Sequence, residues 1–352
     1  MNTPEPVGIS NGQLVPLRKL AVPVWDAGFI NGVIVSEQVR TFRSKPFLLD
    51  QHYDRWTRGL SLLGIAAPCD YNTLSSWIEE LIYRNAELLP SQAEQGICFF
   101  ATPGDHEAFL WGADSSVSND GKVDATAIGL ASDMTSARFY AHTYPLDTRA
   151  WQQNYRHGVA VTTTTVCDVP SECWPNTVKV RSRLHYYLAQ QQAAKLSSGS
   201  YPLLLNQHGQ VSDSAIGSIV GYKSGHGLLV QPKADRFCSI SIDFLLGLAN
   251  DLGFAIVEFQ FTPEDLRELD ELFLVSTPWC IFPIREVDGH SIGGDSNKSA
   301  EAAGCLAGDS GELVAVSRAP VAQSGAWRER VTVFRQLAAA WGEKVGTSIL
   351  EV

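Results

Sequence analysis

No pair of cysteines in this chain has the spacing of a zinc or redox motif. The seven cysteines, Cys69, Cys98, Cys167, Cys173, Cys238, Cys280 and Cys305, are odd in number and scattered, with no CxxC. A disulfide scaffold and a structural zinc site are both poor readings, so free thiols in a reducing compartment are expected. Cys167 and Cys173 flank Asp168 and Glu172, but no histidine stands at ligand spacing, and no metal is expected. Basic charge is also short. Lys and Arg number 27 against 38 Asp and Glu, a formal charge of −11. Broad nucleic-acid binding needs a basic footprint and is excluded, although a local basic pocket for a small anion is not. Long apolar runs are missing too. Residues 272–284 form the most apolar stretch, and Pro278 and Pro283 break it well short of a bilayer span. The first residues, MNTPEPVGISNGQ, have no basic head and no apolar run, so no signal peptide is read there. No GxGxxG, P-loop or HExxH string occurs. A cytoplasmic protein without membrane or nucleic-acid partners is the expectation.

What is present is an ordinary globular composition. The chain has 352 residues, 45% hydrophobic and 18% charged, enough for one large or two medium domains. Asn11-Gly12 reads as a hairpin turn, and residues 33–42, rich in β-branched side chains, as a strand. The period then changes. Tyr53, Trp56, Leu60 and Leu63 recur at helical spacing, as do Leu74, Trp77, Ile78, Leu81 and Ile82. Residues 97–101, 159–166, 201–205, 272–276 and 281–287 read as strands. Leu184, Leu188 and Gln191 mark a helix face, residues 245–252 a further helix, and Thr262-Pro263-Glu264-Asp265 a capped helix start. Val331, Phe334, Leu337 and Trp341 mark the last helix. Polar residues 146–157 lack clean periodicity and read as a linker between an N-terminal α/β domain (1–145) and a C-terminal domain (158–352). Residues 293–325, rich in Gly, Ser and Ala, read as a flexible surface insertion.

The chemistry gathers around Lys179. A lysine used as a nucleophile must be partly desolvated, which lowers its pKa and frees the amine. A lone lysine is usually just a solvated residue, and Lys179 gains weight only from company. Ser239-Ile240-Ser241 opens a helix, and free N–H groups at a helix start bind phosphate. Ser276-Thr277 puts two hydroxyls at a strand end before Pro278. His52 and Arg55 lie one turn apart on a helix face. Each of these also has a plain structural reading: a cap, a turn, a surface ion pair.

Taken together and in order, these residues resemble the fold type IV pyridoxal phosphate enzymes, the class IV aminotransferases. The N-terminal match is Asn11-Gly12, Asp26-Ala27-Gly28, Glu37-Gln38-Val39-Arg40-Thr41 and His52-Tyr53-Asp54-Arg55, without a gap from Asp26 to Arg55. The resemblance runs from about Asn11 to Gly289 and resumes in the last helix. It implies an α+β fold of two domains, a smaller N-terminal α/β sandwich and a larger C-terminal pseudo-barrel. It implies pyridoxal 5′-phosphate as cofactor, amino acids and 2-oxo acids as substrates, and a homodimer.

By the same resemblance, Lys179 holds the cofactor as a Schiff base and moves the substrate proton. Arg55, the backbone at Ile240 and Ser241, and the hydroxyls of Ser276 and Thr277 form the phosphate cup. Asp213 stands where a family glutamate faces the pyridine nitrogen, and Ser218 where an asparagine is usual. The helix start lacks the family's arginine, with Ile242 in its place. Ser36 occupies a substrate-pocket position that is often aromatic. Arg40 either meets a substrate carboxylate or makes a structural ion pair. D-amino acid enzymes and lyases carry a lysine, an asparagine and a leucine where this chain has Lys179, Ser182 and Leu184; branched-chain enzymes have a tyrosine at Leu184. The local match therefore leans away from branched-chain enzymes. An aminodeoxychorismate-type lyase and a non-catalytic homologue are the alternatives. Gly289-His290-Ser291-Ile292-Gly293 also matches the GxSxG string, but Val287-Asp288-Gly289 reads as a hairpin turn rather than the strand-to-helix elbow a nucleophile needs.

Overall fold

The computed structural model describes residues 5–90, 93–106, 109, 137–293 and 331–350. Two sheets organise them, one of six strands and one of nine. The first uses β1 (Val7–Ser10), β2 (Gln13–Pro16), β3 (Val35–Phe42), β4 (Lys45–Pro46), β5 (Gln95–Thr102) and β6 (Arg138–Pro145), in the order β2-β1-β6-β5-β3-β4. Asn11 and Gly12 make the expected β1–β2 turn at φ 47° and 80°, backbone angles that Asn-Gly adopts readily. The short α1 (Ala27–Ile30) is capped by Asp26, which accepts from Gly28 N. Helices α2 (Leu49–Leu62) and α3 (Tyr71–Ala86) cover one face of this sheet. Trp56, Leu60, Leu74 and Ile78 pack there with Val39, Ile97 and Phe99 from the strands. Period-two alternation leaves Gln38, Cys98 and His142 on the opposite face.

The segment 146–157, expected as a linker, contains helix α4 (Thr148–His157). Tyr155 is its only buried side chain, which is why the sequence shows no apolar period there. The second sheet comprises β7 (Val159–Cys167), β8 (Tyr201–Leu205), β9 (Val211–Ser214), β10 (Ser218–Lys223), β11 (Gly227–Val230), β12 (Ile256–Glu258), β13 (Glu271–Ser276), β14 (Cys280–Val287) and β15 (His290–Ser291). Its path is β12-β11-β10-β13-β14-β7-β8-β9, with β15 paired to β14. The sheet curls until β9 returns towards β10 through a Ser214–Gly217 bridge, giving a half-barrel. Helices α5 (Leu184–Leu196), α6 (Ile240–Asp251), α7 (Pro263–Arg267) and α8 (Thr332–Val345) complete this part.

A large apolar core fills the half-barrel side, where Phe273, Phe282, Leu245, Phe334 and Trp341 pack together. The start of α7 is the capping box the sequence signals, with Thr262 and Asp265 bonded reciprocally, but the helix ends after five residues. Helix α5 differs from expectation in its buried face. Leu184 and Leu188 are 70% and 47% exposed, while Ala189 and Ala193 are buried. The GxSxG string folds as the hairpin turn between β14 and β15, with Asp288 and Gly289 at φ 50° and 83°. Residues 294–325 of the expected insertion lie outside the described residues. Among the described residues no helix is long and apolar enough to cross a membrane. No group of three His, Cys, Asp or Glu there is placed to hold a metal ion.

Candidate active site

Lys179 is held by β3 rather than by a helix. Its carbonyl accepts from Ser36 N at 2.8 Å, Arg181 N donates to Ile34 O at 3.0 Å, and Val35 and Val180 form a bridge. Extended backbone turns alternate residues to opposite sides. Val178 is buried with the α2 and α3 core. Residues 178–183 all line a cavity of about 550 Å³, Lys179, Arg181 and Arg183 at alternate positions among them. Arg55, Asp213, Ser218, Ser276 and Thr277 line it as well. The structure thus brings together residues far apart in sequence.

Burial lowers the Lys179 pKa from 10.5 to about 8, and the nearby Arg55 adds to the effect while Glu37 opposes it. The ammonium lies over the Phe237 ring, 5.3 Å from its centroid. Arg55, from α2, is fixed by a buried fork. Its Nε and Nη2 donate to Glu37 at 2.7 and 2.6 Å, and Nη1 donates to Cys238 O at 2.6 Å. His52 Nδ1 lies 2.7 Å from the same carboxylate. Burial alone would raise the Glu37 pKa, but Arg55 and then His52 bring it down to about 2. Glu37 is therefore ionised and holds the guanidinium at the cavity wall. A guanidinium has more N–H donors than these bonds use.

Asp213, on β9, is 9% exposed, and its buried Oδ1 has no hydrogen-bond partner among the described residues. Burial and the neighbouring Asp168 raise its pKa from 3.8 to about 8, against hydrogen bonds from Ser214 and Ser218. Asp168 itself is pulled below its ordinary value despite burial, by His185 and by Ser212, whose Oγ donates to it at 2.5 Å. A buried unpaired carboxyl is costly unless something meets it. A ring nitrogen carrying a proton is such a partner.

The α6 start and the β13–β14 turn meet at one side of the cavity. Ser239 caps α6 by accepting from Ile242 N at 3.3 Å. The amides of Ile240 and Ser241, in the first turn, have no acceptor inside the helix. Ser241 Oγ lies 3.1 Å from Thr277 Oγ1, tying the helix start to the turn. Ile240 and Ser241 lie behind the cavity lining, while Ser239, Ser276 and Thr277 reach it.

Besides Ile240 and Ser241, two further residues singled out from the sequence, Arg40 and Ser36, do not line this cavity. Arg40 is 2% exposed and stacks over Phe42 at 3.9 Å. Its guanidinium donates to Thr41 O at 3.1 Å and Pro278 O at 2.8 Å. It forms no ion pair among the described residues, because backbone carbonyls take its donors. Its work is to anchor the turn that carries Ser276 and Thr277. Ser36 is buried beneath the Lys179 segment and does not line the cavity either. Gln38, between them on the same strand face, does. Gln38, Arg181, Arg183, Asp168 and Phe237 are lining residues that sequence reasoning alone misses. Period-two counting from Ser36 and from Lys179 is the signal that could find the first three.

Known proteins resemble this chain over most of its length. A model of the amino-transferase class IV family matches residues 35–287. The D-alanine aminotransferase of Listeria innocua serovar 6a is 25% identical over 288 residues, 79% of this chain and 86% of that protein. The D-alanine aminotransferase of Bacillus licheniformis is 23% identical over 290 residues, 80% of this chain and 89% of that protein. A solved T.th. branched-chain amino acid aminotransferase with pyridoxamine 5′-phosphate superposes with a TM-score of 0.67 at 21% identity, covering 82% of this chain and 88% of its own. The Escherichia coli branched-chain enzyme gives 0.65 at 19% identity, over 82% and 88%. At these identities the solved structures speak for the fold.

Proposed function

The chain belongs to the class IV aminotransferase family, and from that premise we propose that it moves an amino group between an amino acid and a 2-oxo acid, with pyridoxal 5′-phosphate as cofactor and Lys179 as the catalytic lysine. The observation that carries this reading is the pairing, in one cavity, of a lysine lowered to about 8 with a buried carboxyl whose Oδ1 has no partner. A cofactor with an aldehyde at one edge and a protonatable nitrogen in its ring suits both groups. Its phosphate suits the amides of Ile240 and Ser241, the hydroxyls of Ser241, Ser276 and Thr277, and the free donors of Arg55.

Bound there, pyridoxal 5′-phosphate supplies an electron sink for the pair left when an amino acid loses its α-proton. The rest is the work of the chain. Lys179 Nζ would be the group that holds the cofactor, and its amine would take the substrate α-proton and return it one position away. The lowered pKa keeps a useful fraction of this amine neutral near neutral pH. Asp213 would ionise beside a protonated ring nitrogen and favour that proton, with Ser218 steadying the carboxylate. Arg55 and the α6 start hold the far end, so that proton transfer does not shift the ring.

The chain is read as two domains, 1–145 and 158–352, joined through 146–157. The exposed apolar stripe of Leu184, Tyr187 and Leu188 on α5 supports a homodimer. Free thiols at all six described cysteines suit a reducing compartment such as the cytoplasm. No feature of the site favours a lyase over transfer. Absorbance tests the reading. Purified protein supplied with pyridoxal 5′-phosphate should turn yellow, bleach with borohydride, and lose its visible band when an amino donor is added. Lys179→Ala should abolish the borohydride-stable attachment. A protein that stays colourless contradicts the proposal. A yellow protein that no amino acid converts is the non-catalytic homologue.

A further inference from the structure

Gln38 and Arg181 line both the cavity around Lys179 and a second cavity of about 440 Å³. Its floor is the face of the six-stranded sheet opposite α2 and α3. Gln38 pairs in register with Cys98, and Cys98 with His142, making one cross-strand row. Phe100 and Tyr144 stand on the same face and form its apolar wall. Tyr144 is fixed there, because its hydroxyl accepts from Gln38 Nε2 and its ring lies over Gly96. A Cβ at Gly96 would sit 2.2 Å from the Tyr144 Cζ.

Arg181 overhangs this floor. Its guanidinium lies against Cys98 Sγ, to which Nη2 donates. A thiol is a weak acceptor, and it occupies one edge of a planar fork shaped for a carboxylate. Among the described residues no carboxylate lines this cavity and Arg181 forms no ion pair. His142 beside it is held below its ordinary pKa, first by burial and also by Arg181, so it adds no charge near neutral pH. Arg55 and Arg183 are engaged elsewhere, with Glu37 and with Ala215 O at 2.6 Å. Arg181 is the arginine that lines both cavities. It follows Lys179 by two residues of extended chain, so the two side chains leave the same face about 7 Å apart. That spacing suits a molecule with a carboxylate one bond from the carbon on which the lysine acts.

We propose that Arg181 is a specificity-determining residue that binds the α-carboxylate of the amino acid and of the 2-oxo acid, while an apolar substrate side chain lies against Phe100 and Tyr144. This rests on the aminotransferase reading and adds the substrate class, a monocarboxylate with an apolar side chain. The test is calorimetric titration of the holoenzyme with 4-methylvalerate and with its neutral amide. The native protein should prefer the acid by about tenfold or more, the gain expected of a charge-assisted fork. Arg181→Met should abolish the preference, and Arg181→Lys should keep part of it. Both variants should take up pyridoxal 5′-phosphate with an unchanged spectrum, which separates loss of recognition from loss of fold. The KM for the amino donor should rise more than kcat falls. A native protein without the preference, or an Arg181→Met variant that retains it, overturns the proposal. A protein that takes up no cofactor sinks the aminotransferase reading instead, and the same titration of the cofactor-free chain still reports on Arg181.

Discussion

Lys179 and Asp213 are shifted in opposite senses and for the same reason. Each is buried in one cavity, and burial disfavours charge. The lysine falls from 10.5 and the aspartate rises from 3.8, both to about 8. Each pKa unit is worth about 1.4 kcal/mol of difference between protonation states, so the site is held against the stability of the cofactor-free fold. For Asp213 the folded chain keeps a proton that the unfolded chain loses above 3.8. Its contribution to stability is full below that pH and falls away between 3.8 and about 8. Asp213→Asn cannot ionise and escapes this loss. Urea unfolding of the cofactor-free proteins should therefore show the variant gaining on the native chain as pH rises from about 4 to about 8. A gap that stays constant across that range would contradict the buried, unpaired carboxyl. With cofactor present the same variant should bind it more weakly, since an amide cannot neutralise a ring N–H.

Among the elements, the β13–β14 turn matters most, because it presents Ser276 and Thr277. It is clamped from two sides: Arg40 donates to Pro278 O at 2.8 Å, and Tyr155 Oη donates to Trp279 O at 2.6 Å. Arg40→Met keeps the stacking volume over Phe42 but frees the turn. Losing one charged hydrogen bond costs about 1.5–3 kcal/mol, so the cofactor should bind on the order of tenfold more weakly, with a lower Tm. Equilibrium titration with pyridoxal 5′-phosphate measures this, and unchanged affinity would show that the turn needs no anchor. This clamp also marks the limit of sequence reading. Asn11-Gly12, the run from Asp26 to Arg55 and the neighbourhood of Lys179 are legible, because turn chemistry, periodicity and motif spacing are local. The role of Arg40 is not, because its partner lies 238 residues away. Nor is the outward face of Leu184 and Leu188 on α5. Periodicity identifies an apolar stripe but not what covers it, and the small Ala189 and Ala193 let the other face pack closely on the sheet.

On the scale of the whole molecule, the cavity exists because β3 of one sheet holds the Lys179 segment while the half-barrel supplies Asp213, Ser276 and Thr277. Neither sheet alone contains the site. The apolar stripe on α5 leaves large side chains in water, with Leu184 at 70% and Tyr187 at 62% exposure. Sedimentation should give twice the monomer mass of 38.4 kDa. Leu184→Glu with Leu188→Glu should shift the protein towards monomer, and a double variant of unchanged mass would place the contact elsewhere.

Whether Lys179 holds pyridoxal 5′-phosphate is decided by borohydride reduction of the loaded protein followed by peptide mass spectrometry. A phosphopyridoxyl adduct is expected on the peptide containing Lys179, and none on that peptide in Lys179→Ala. An adduct on another lysine, or no adduct on a loaded protein, would contradict that role for Lys179.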